Sequence, residues 1–248
     1  MSGELHVRNE RVATRAVSGA RLLYASDLHL GWPWTRRVPD QVLDAVRATQ
    51  PDALLFGGDL CDGARSLEQL ARLVRAAREL THVLAVPGNH DLRLGAERVR
   101  DAVVESGGTW LVERDHSTSG VVIEGRARRI AGVRRQSTTT KEHGREAGPA
   151  AQPRTGAARI LCAHRPAIVV AAERARFDVV LAGHLHGGQC VLFEREGRLY
   201  PYAWIDRWNG LRFDLGATTM LVSRGAGDAL PLRFRCPREV VLCELVSA

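Results

Sequence analysis

Gly183-His184-Leu185-His186-Gly187-Gly188-Gln189 follows directly on the apolar run Phe177-Asp178-Val179-Val180-Leu181-Ala182. A short apolar run bounded by glycine reads as a buried strand, so the two histidines stand where the strand gives way to a glycine-rich loop. Side chains alternate along a strand, so His184 and His186, with one residue between them, are expected to project together into one site. Two imidazoles on one face suit a metal. A lone histidine is more often an ordinary core or surface residue, and the pair by itself leaves the choice open.

The same pattern, an apolar strand running into a polar tip, recurs upstream. Leu22-Leu23-Tyr24-Ala25-Ser26 ends at Asp27-Leu28-His29, Ala53-Leu54-Leu55-Phe56 at Gly57-Gly58-Asp59, and Val83-Leu84-Ala85-Val86 at Pro87-Gly88-Asn89-His90-Asp91. Ile160-Leu161-Cys162-Ala163 ends at His164. Five strand ends thus deliver three carboxylates, an amide and five of the nine histidines, where chance would scatter them.

Composition bounds what these tips can belong to. A chain of 248 residues, 45% hydrophobic, can bury one large α/β core. The formal charge of +7 raises nucleic acid as a partner, but Lys141 is the only lysine and the arginines are spread along helices rather than gathered in runs. A dedicated nucleic-acid patch is therefore not expected. The five cysteines are odd in number, lack CxxC spacing and lie mostly in apolar segments, as buried free thiols of a reducing compartment do. Met1 to Gly19 is polar without the apolar centre of a signal peptide, and no window reaches the length of a membrane span. The expectation is a cytoplasmic protein, at most peripheral at the inner face of the membrane.

Taken in order, the first half alternates strand and helix. A helix is expected near Asp40 to Thr49, with Val42, Leu43 and Val46 on one face, and another after a capping box of Ser66 and Gln69, with Leu67, Leu70, Ala71, Val74 and Ala77 as its apolar stripe. A third carries Val99, Ala102 and Val103 and stops at Gly107-Gly108. This alternation predicts a parallel sheet flanked by helices. Trp110-Leu111-Val112, Val121-Val122-Ile123 and Arg129-Ile130-Ala131 then read as short strands of a second, largely antiparallel sheet. After a helix from about Pro166 to Arg174, the last third reads as short strands at Val191–Phe193, Leu211–Phe213, Thr219–Val222 and Val240–Cys243. The expected fold is α/β: two face-to-face β-sheets flanked by α-helices, with the strand tips converging at one rim. Residues 1–20 read as an N-terminal extension and 21–248 as a single domain, with a mobile loop at 135–156 that shows no periodicity.

In order and type, Asp27-x-His29, Gly58-Asp59-x-x-Asp62, Gly88-Asn89-His90-Asp91, His164 and Gly183-His184-x-His186 resemble the calcineurin-like metallophosphoesterase superfamily. The resemblance runs from about Arg21 to Leu245, and five ordered motifs make it highly specific. The GHxHGGQ ending and the tail Val222-Ser223-Arg224-Gly225-Ala226-Gly227 look like the bacterial branch called YkuE/YaeI-like phosphodiesterases, with Leu185 where threonine is common.

Oxygen donors mixed with imidazole, and no thiolate, suit Mn, Fe, Co, Ni or Zn in open coordination. The donors exceed one coordination shell, so two divalent metal ions are expected, manganese foremost. By the family's pattern one metal takes Asp27, His29 and His186, a second takes Asn89, His164 and His184, and Asp59 bridges them. Such pairs lie about 3.5 to 4 Å apart and share a hydroxide that attacks phosphorus in line. His90 is then not a ligand but a charge stabiliser or acid for the leaving oxygen, oriented by Asp62, which could otherwise be a turn residue ahead of Ser66. Asp91 reads as a residue that binds backbone, Gly187 and Gly188 as letting the histidine loop approach the metals, and Gln189 as structural.

Arg165, directly after His164, is a candidate for holding a substrate phosphate, and equally an ordinary surface arginine. Cys61 reads as a small packing residue. Trp32 and Trp34, with Tyr200, Tyr202, Trp204 and Trp208, line an apolar substrate groove or pack under the metal loops. The resemblance implies a phosphohydrolase cleaving a phosphodiester or pyrophosphate, on a lipid-linked or nucleotide-sugar substrate met at the membrane. A nuclease of the same superfamily would need a DNA-contacting module for which the chain has no room, and a catalytically silent scaffold should show broken motifs.

Overall fold

The computed structural model describes residues 4–14, 19–112, 115–126 and 156–248. Ala53–Phe56 and Val179–Ala182 are buried at every position, as strands covered on both faces must be. In chain order the elements are β1 (His6–Thr14), β2 (Arg21–Ala25), α1 (Val38–Thr49), β3 (Ala53–Phe56), α2 (Leu67–Arg78), β4 (His82–Ala85), α3 (Asn89–Leu94), α4 (Ala96–Val104), β5 (Thr109–Trp110), β6 (His116–Thr118) and β7 (Val121–Arg126). They continue with β8 (Ala158–Ala163), α5 (Val169–Arg174), β9 (Val179–Ala182), β10 (Phe193–Arg195), β11 (Arg198–Tyr200), β12 (Arg212–Leu215), β13 (Thr218–Val222) and β14 (Glu239–Ser247).

Two six-stranded sheets result, ordered β1-β14-β2-β3-β4-β5 and β12-β13-β9-β8-β7-β6, with β10 and β11 as a separate hairpin. Alternation along each strand decides which layer a side chain joins. Leu23 and Ala25 face α1 and α2, where Val42, Val46, Leu70 and Val74 complete an outer layer. Leu22 and Tyr24 face the second sheet and meet Ile160, Cys162, Val179 and Leu181. On the far side Leu161, Ala163, Val180 and Ala182 are covered by Val169 and Ala172 of α5. Each fully buried leucine contributes about 1.5–3 kcal/mol, against about 0.3–0.5 kcal/mol for a helical surface pair such as Asp44–Arg47, so these layers hold the sandwich together.

Several elements differ from the sequence expectation. The second sheet is parallel at β13/β9, β9/β8 and β8/β7 and antiparallel only at its two edge pairs, so it is not largely antiparallel. Trp110 extends the first sheet through β5, because its register is with Ala85 of β4. The polar residues 6–14 of the N-terminal extension form β1, whose backbone pairs in parallel with all nine residues of β14. Ser66 makes no capping box; its hydroxyl donates to the Gly63 carbonyl at 2.6 Å. The strand expected at Val191 begins at Phe193. The strand expected at Arg129–Ala131 and nearly all of the loop at 135–156 lie outside the described residues. Among the described residues no helix is long and apolar enough to cross a membrane.

Candidate metal centre

Three loops of the first sheet and two of the second meet at one end of the sandwich. The amides of Asp27 and His29 donate to the carbonyls of Gly58 and Asp59, at 2.8 and 3.0 Å, and that of Gly183 donates to His164 at 2.9 Å. These cross-loop bonds demand tight backbone. Asp27, His29, Asp59, His184 and His186 all have positive φ, between 47° and 75°. A left-handed non-glycine residue costs about 1–2 kcal/mol, and five of them gathered at one rim mark a functional site that the surrounding fold holds under strain. Close approach adds to it: a Cβ on Gly88 would stand 2.1 Å from Asp59 Oδ1, and one on Gly183 2.2 Å from Ser26 Oγ.

The ligand atoms of Asp27, His29 and His186 lie within 4.8 Å of one another, and so do those of Asp59, His164 and His184. His29 Nε2 and His186 Nε2 face each other at 3.2 Å, with Asp27 Oδ1 3.6 Å from the latter. In the second group His164 Nε2 is 3.1 Å from His184 Nδ1, 3.2 Å from Asn89 Oδ1 and 3.3 Å from Asp59 Oδ2. Asp59 Oδ2 also lies 4.0 Å from His29 Nε2, which sets it between the groups.

The chemistry of these contacts fits cations. His164 Nδ1 is 2.9 Å from the Gly57 carbonyl, which can only accept, so that nitrogen carries its proton and Nε2 is left for the site. His29 Nδ1 likewise donates to Asp62 Oδ1 at 3.0 Å. Lone pairs, an amide oxygen and carboxylates therefore converge, a donor set that suits cations. Burial would lower the His164 pKa, but hydrogen bonding to Asp59 and the charges of Asp27 and Asp59 raise it to about 9. His184, buried beside His164 and Arg165, is pushed down to about 4. Burial would raise Asp59, yet the hydrogen bond and charge of His164 and the His90 amide hold it well below the usual carboxylate range.

The same proximity gathers His29, Asp62 and His90, but here the contacts are hydrogen bonds to one carboxylate. Asp62 Oδ1 accepts from His29 Nδ1 and, at 2.7 Å, from His90 Nδ1, while Oδ2 accepts from the Trp32 indole. Burial pushes the Asp62 carboxyl up, and these bonds from His29, His90 and Trp32 pull it well below the ordinary value. His90 turns its other nitrogen inward, Nε2 lying 4.0 Å from Asp59 Oδ2.

All ten candidate site residues are brought to this rim, Arg165 through its contact of 3.3 Å with Asn89 Oδ1. His184 and His186 both reach the centre, but they enter different groups of it. His184 stands against His164 and His186 against His29, both from left-handed positions beyond the strand's end, where strand alternation no longer sets which group each joins. Gly187 and Gly188 approach Cys236 and Tyr202 rather than the ligands; Gly183 and Gly225 are the glycines against Asp27 and His186. Asp91 is buried and accepts from the amides of Leu60, Cys61 and Gly88. Cys61 is buried, its thiol pushed up to about 12 by burial, as a packing residue. The aromatic clusters divide: Trp32 touches Asp62, Trp34 stacks on Trp32, and Tyr202 lies against Gly188, but Trp208 packs on Phe213 in the layer under α5.

Three contacts of the site escaped the sequence. Ser26 Oγ donates to Asp27 Oδ2 at 2.6 Å, the Trp32 indole holds Asp62, and Arg233 Nη2 comes within 3.4 Å of His186 Nδ1. Ser26 and Trp32 flank a motif and were within reach of a search for donors around it; Arg233 carries no local signal.

The family model for calcineurin-like phosphoesterases matches residues 20–188. An uncharacterized metallophosphoesterase of Helicobacter pylori J99 is 25% identical over 236 residues, covering 91% of this chain and 60% of its own length. Phosphodiesterase YaeI of Escherichia coli K12 is 27% identical, covering 91% of this chain and 82% of the relative. The uncharacterized metallophosphoesterase YkuE of Bacillus subtilis 168 is 24% identical, covering 98% and 84%. The chain therefore spans about 60% of the Helicobacter protein and most of the other two.

Proposed function

The chain belongs to the calcineurin-like phosphoesterase family, metal-dependent hydrolases of phosphate esters, and from that premise we propose that it cleaves a phosphodiester or pyrophosphate bond at a dinuclear centre. The observation that carries the reading is the convergence on Asp59: one carboxylate oxygen faces His164 on one side and His29 on the other. Asp27, His29 and His186 would hold one divalent ion and Asn89, His164 and His184 the other, with Asp59 available to both. The donor set favours manganese, with Fe, Zn, Co and Ni as the other fitting ions. When bound, the pair supplies charge against the phosphoryl oxygens and a hydroxide-strength nucleophile at neutral pH.

The chain's own groups do the rest. His90, with Nδ1 fixed on Asp62, presents Nε2 to the reacting phosphate and delivers a proton to the leaving oxygen. Asp62 thereby positions both His29 and His90. Arg165, held against Asn89, offers its remaining N–H groups to a phosphate oxygen. The Escherichia coli relative's name, phosphodiesterase, supports the same bond type. We place the substrate among lipid-linked or nucleotide-sugar diesters and pyrophosphates. A panel of aryl diester, aryl monoester, nucleotide-sugar pyrophosphate and DNA, each with added Mn, tests this. Turnover of the diester or pyrophosphate well above the monoester is expected. Fastest cleavage of DNA would make the protein a nuclease, and no turnover of any would leave a silent scaffold.

A further inference from the structure

Between β13 and β14 the chain crosses the surface as a strap in which the usual placement of side chains is reversed. Leu230, Leu232 and Phe234 face solvent, at 61%, 73% and 54% exposure. Arg233, between them, turns inward: its Nε donates to Asp228 at 2.6 Å and its Nη2 to the carbonyls of Arg224 and Gly227, at 2.7 and 3.1 Å. A surface segment in water is expected to bury its leucines and expose its arginine. Hydrogen bonds fix the inversion: Phe234 N–H donates to the Gln189 carbonyl at 2.9 Å, Val191 N–H to the Phe234 carbonyl at 2.9 Å, and the Gln189 amide to the Leu230 carbonyl at 2.8 Å.

The same bonds join the strap to the β10–β11 hairpin, where Leu192 and Phe193 are exposed, and the Phe193 ring meets Trp204 edge-on at 6.1 Å. Ile205 is the most open of all at 80%, and its neighbour Trp204 stands at 73%. Seven of the eleven exposed large hydrophobic residues among the described ones fall on this face, a concentration that marks a contact surface rather than ordinary scatter. The exposed cations Arg195, Arg198, Arg207 and Arg235 outnumber the exposed Glu194 and Glu196 there. Arg235 donates to the Leu192 carbonyl at 3.1 Å, which places a guanidinium among the apolar side chains.

We propose that this face docks the protein on an anionic phospholipid bilayer, with the leucines, Phe193, Phe234 and Trp204 entering the headgroup boundary and the arginines meeting lipid phosphates. Tryptophan and arginine suit that boundary, and apolar area plus cationic charge sets the strength of such binding. A second copy of the chain is disfavoured as the occupant, because a two-fold contact would bring the same arginines face to face. The surface is continuous with the metal loop: Gln189, bonded to the strap on both sides, donates its own N–H to the His186 carbonyl at 3.0 Å. Docking thus sets the rim of the centre at the height of lipid headgroups. That consequence rests on the hydrolase reading, whereas docking does not.

The test is co-sedimentation of the full chain with vesicles of phosphatidylcholine alone and of phosphatidylcholine mixed with phosphatidylglycerol. The protein should pellet with the anionic vesicles and stay in solution with the neutral ones. A variant carrying Ile205→Ser, Leu230→Ser and Leu232→Ser, whose side chains face solvent outside the candidate site, should partition ~10-fold less while hydrolysing a small soluble diester at the parent's rate. The proposal is overturned if the parent ignores anionic vesicles, if it binds both kinds equally, if the variant pellets like the parent, or if the substitutions instead split a dimer. Sedimentation needs no turnover, so a chain that pellets but hydrolyses nothing defeats only the hydrolase reading, and one that hydrolyses but never pellets defeats only the docking.

Discussion

In the His29 half of the centre the ligand imidazole is braced by a side chain, whereas in the His164 half it is braced by the backbone. Asp62 takes the Nδ1 proton of His29, holds His90 with the same oxygen and is itself held by the Trp32 indole. The Gly57 carbonyl takes the Nδ1 proton of His164 and cannot be changed by substitution. The difference separates two tasks. On the proposed reading, one half would hold a metal through the sheet's own loops, and the other would tie metal holding to the proton donor His90, so it is the half where substitutions are expected to tune the reaction.

The largest effect should come from the residue the halves share. Asp59→Asn removes the charge that faces His164 and His29, and is expected to cut kcat/KM on the order of 10³-fold or more while weakening both metal sites. A loss confined to one metal, with activity near the parent's, would show that the halves do not depend on a common carboxylate.

Next come the two residues that only the His29 half possesses. His90→Ala should keep its metals and lose about 10²–10⁴-fold in kcat, most with poor leaving groups and least with nitrophenolate, which leaves without a proton. Loss of metal in that variant would place His90 among the ligands. Asp62→Asn should show the same leaving-group pattern at about 10–100-fold, because it disturbs His90 and His29 only through their orientation.

The His164 half is tested by pH. Its pKa of about 9 means that the metal-free site holds a proton there at neutral pH, while His184, at about 4, holds none. Cation binding must expel that proton, so the affinity should rise about tenfold per pH unit up to about pH 9 and then level off. Calorimetry in buffers of different ionisation enthalpy should count about one proton released per ion bound in this half. Affinity flat between pH 6 and 8 would contradict the arrangement. The mildest change is Trp32→Phe, which keeps the ring on Trp34 but removes the donor to Asp62. A drop of about 2- to 5-fold in kcat is expected, the scale of one lost hydrogen bond, with KM for small diesters unchanged. An equal effect on His164-side metal binding would remove the distinction between the halves.

The rim was legible because each of its pieces is local: an apolar run sets a strand, and the polar residues just beyond it must emerge at the strand's end. What those residues do after emerging was not. His184 and His186 follow the left-handed turn that the loops impose on each other, and no period in the sequence records φ. Short runs suggest a largely antiparallel second sheet, but strand direction is set by crossovers such as α5, which carries β8 over into a parallel β9. The polar β1 offered no apolar alternation, since its pairing with β14 is made of backbone bonds that any side chain permits. Arg233 reaches His186 from 47 residues downstream, a contact visible only once the strap is folded.

Metal content is the direct test of the shared carboxylate. Elemental analysis of the full chain, saturated with Mn and freed of loosely held ions, should give two transition ions per chain, and Asp59→Asn should lose both together. A parent that never holds more than one tight ion would contradict the dinuclear centre.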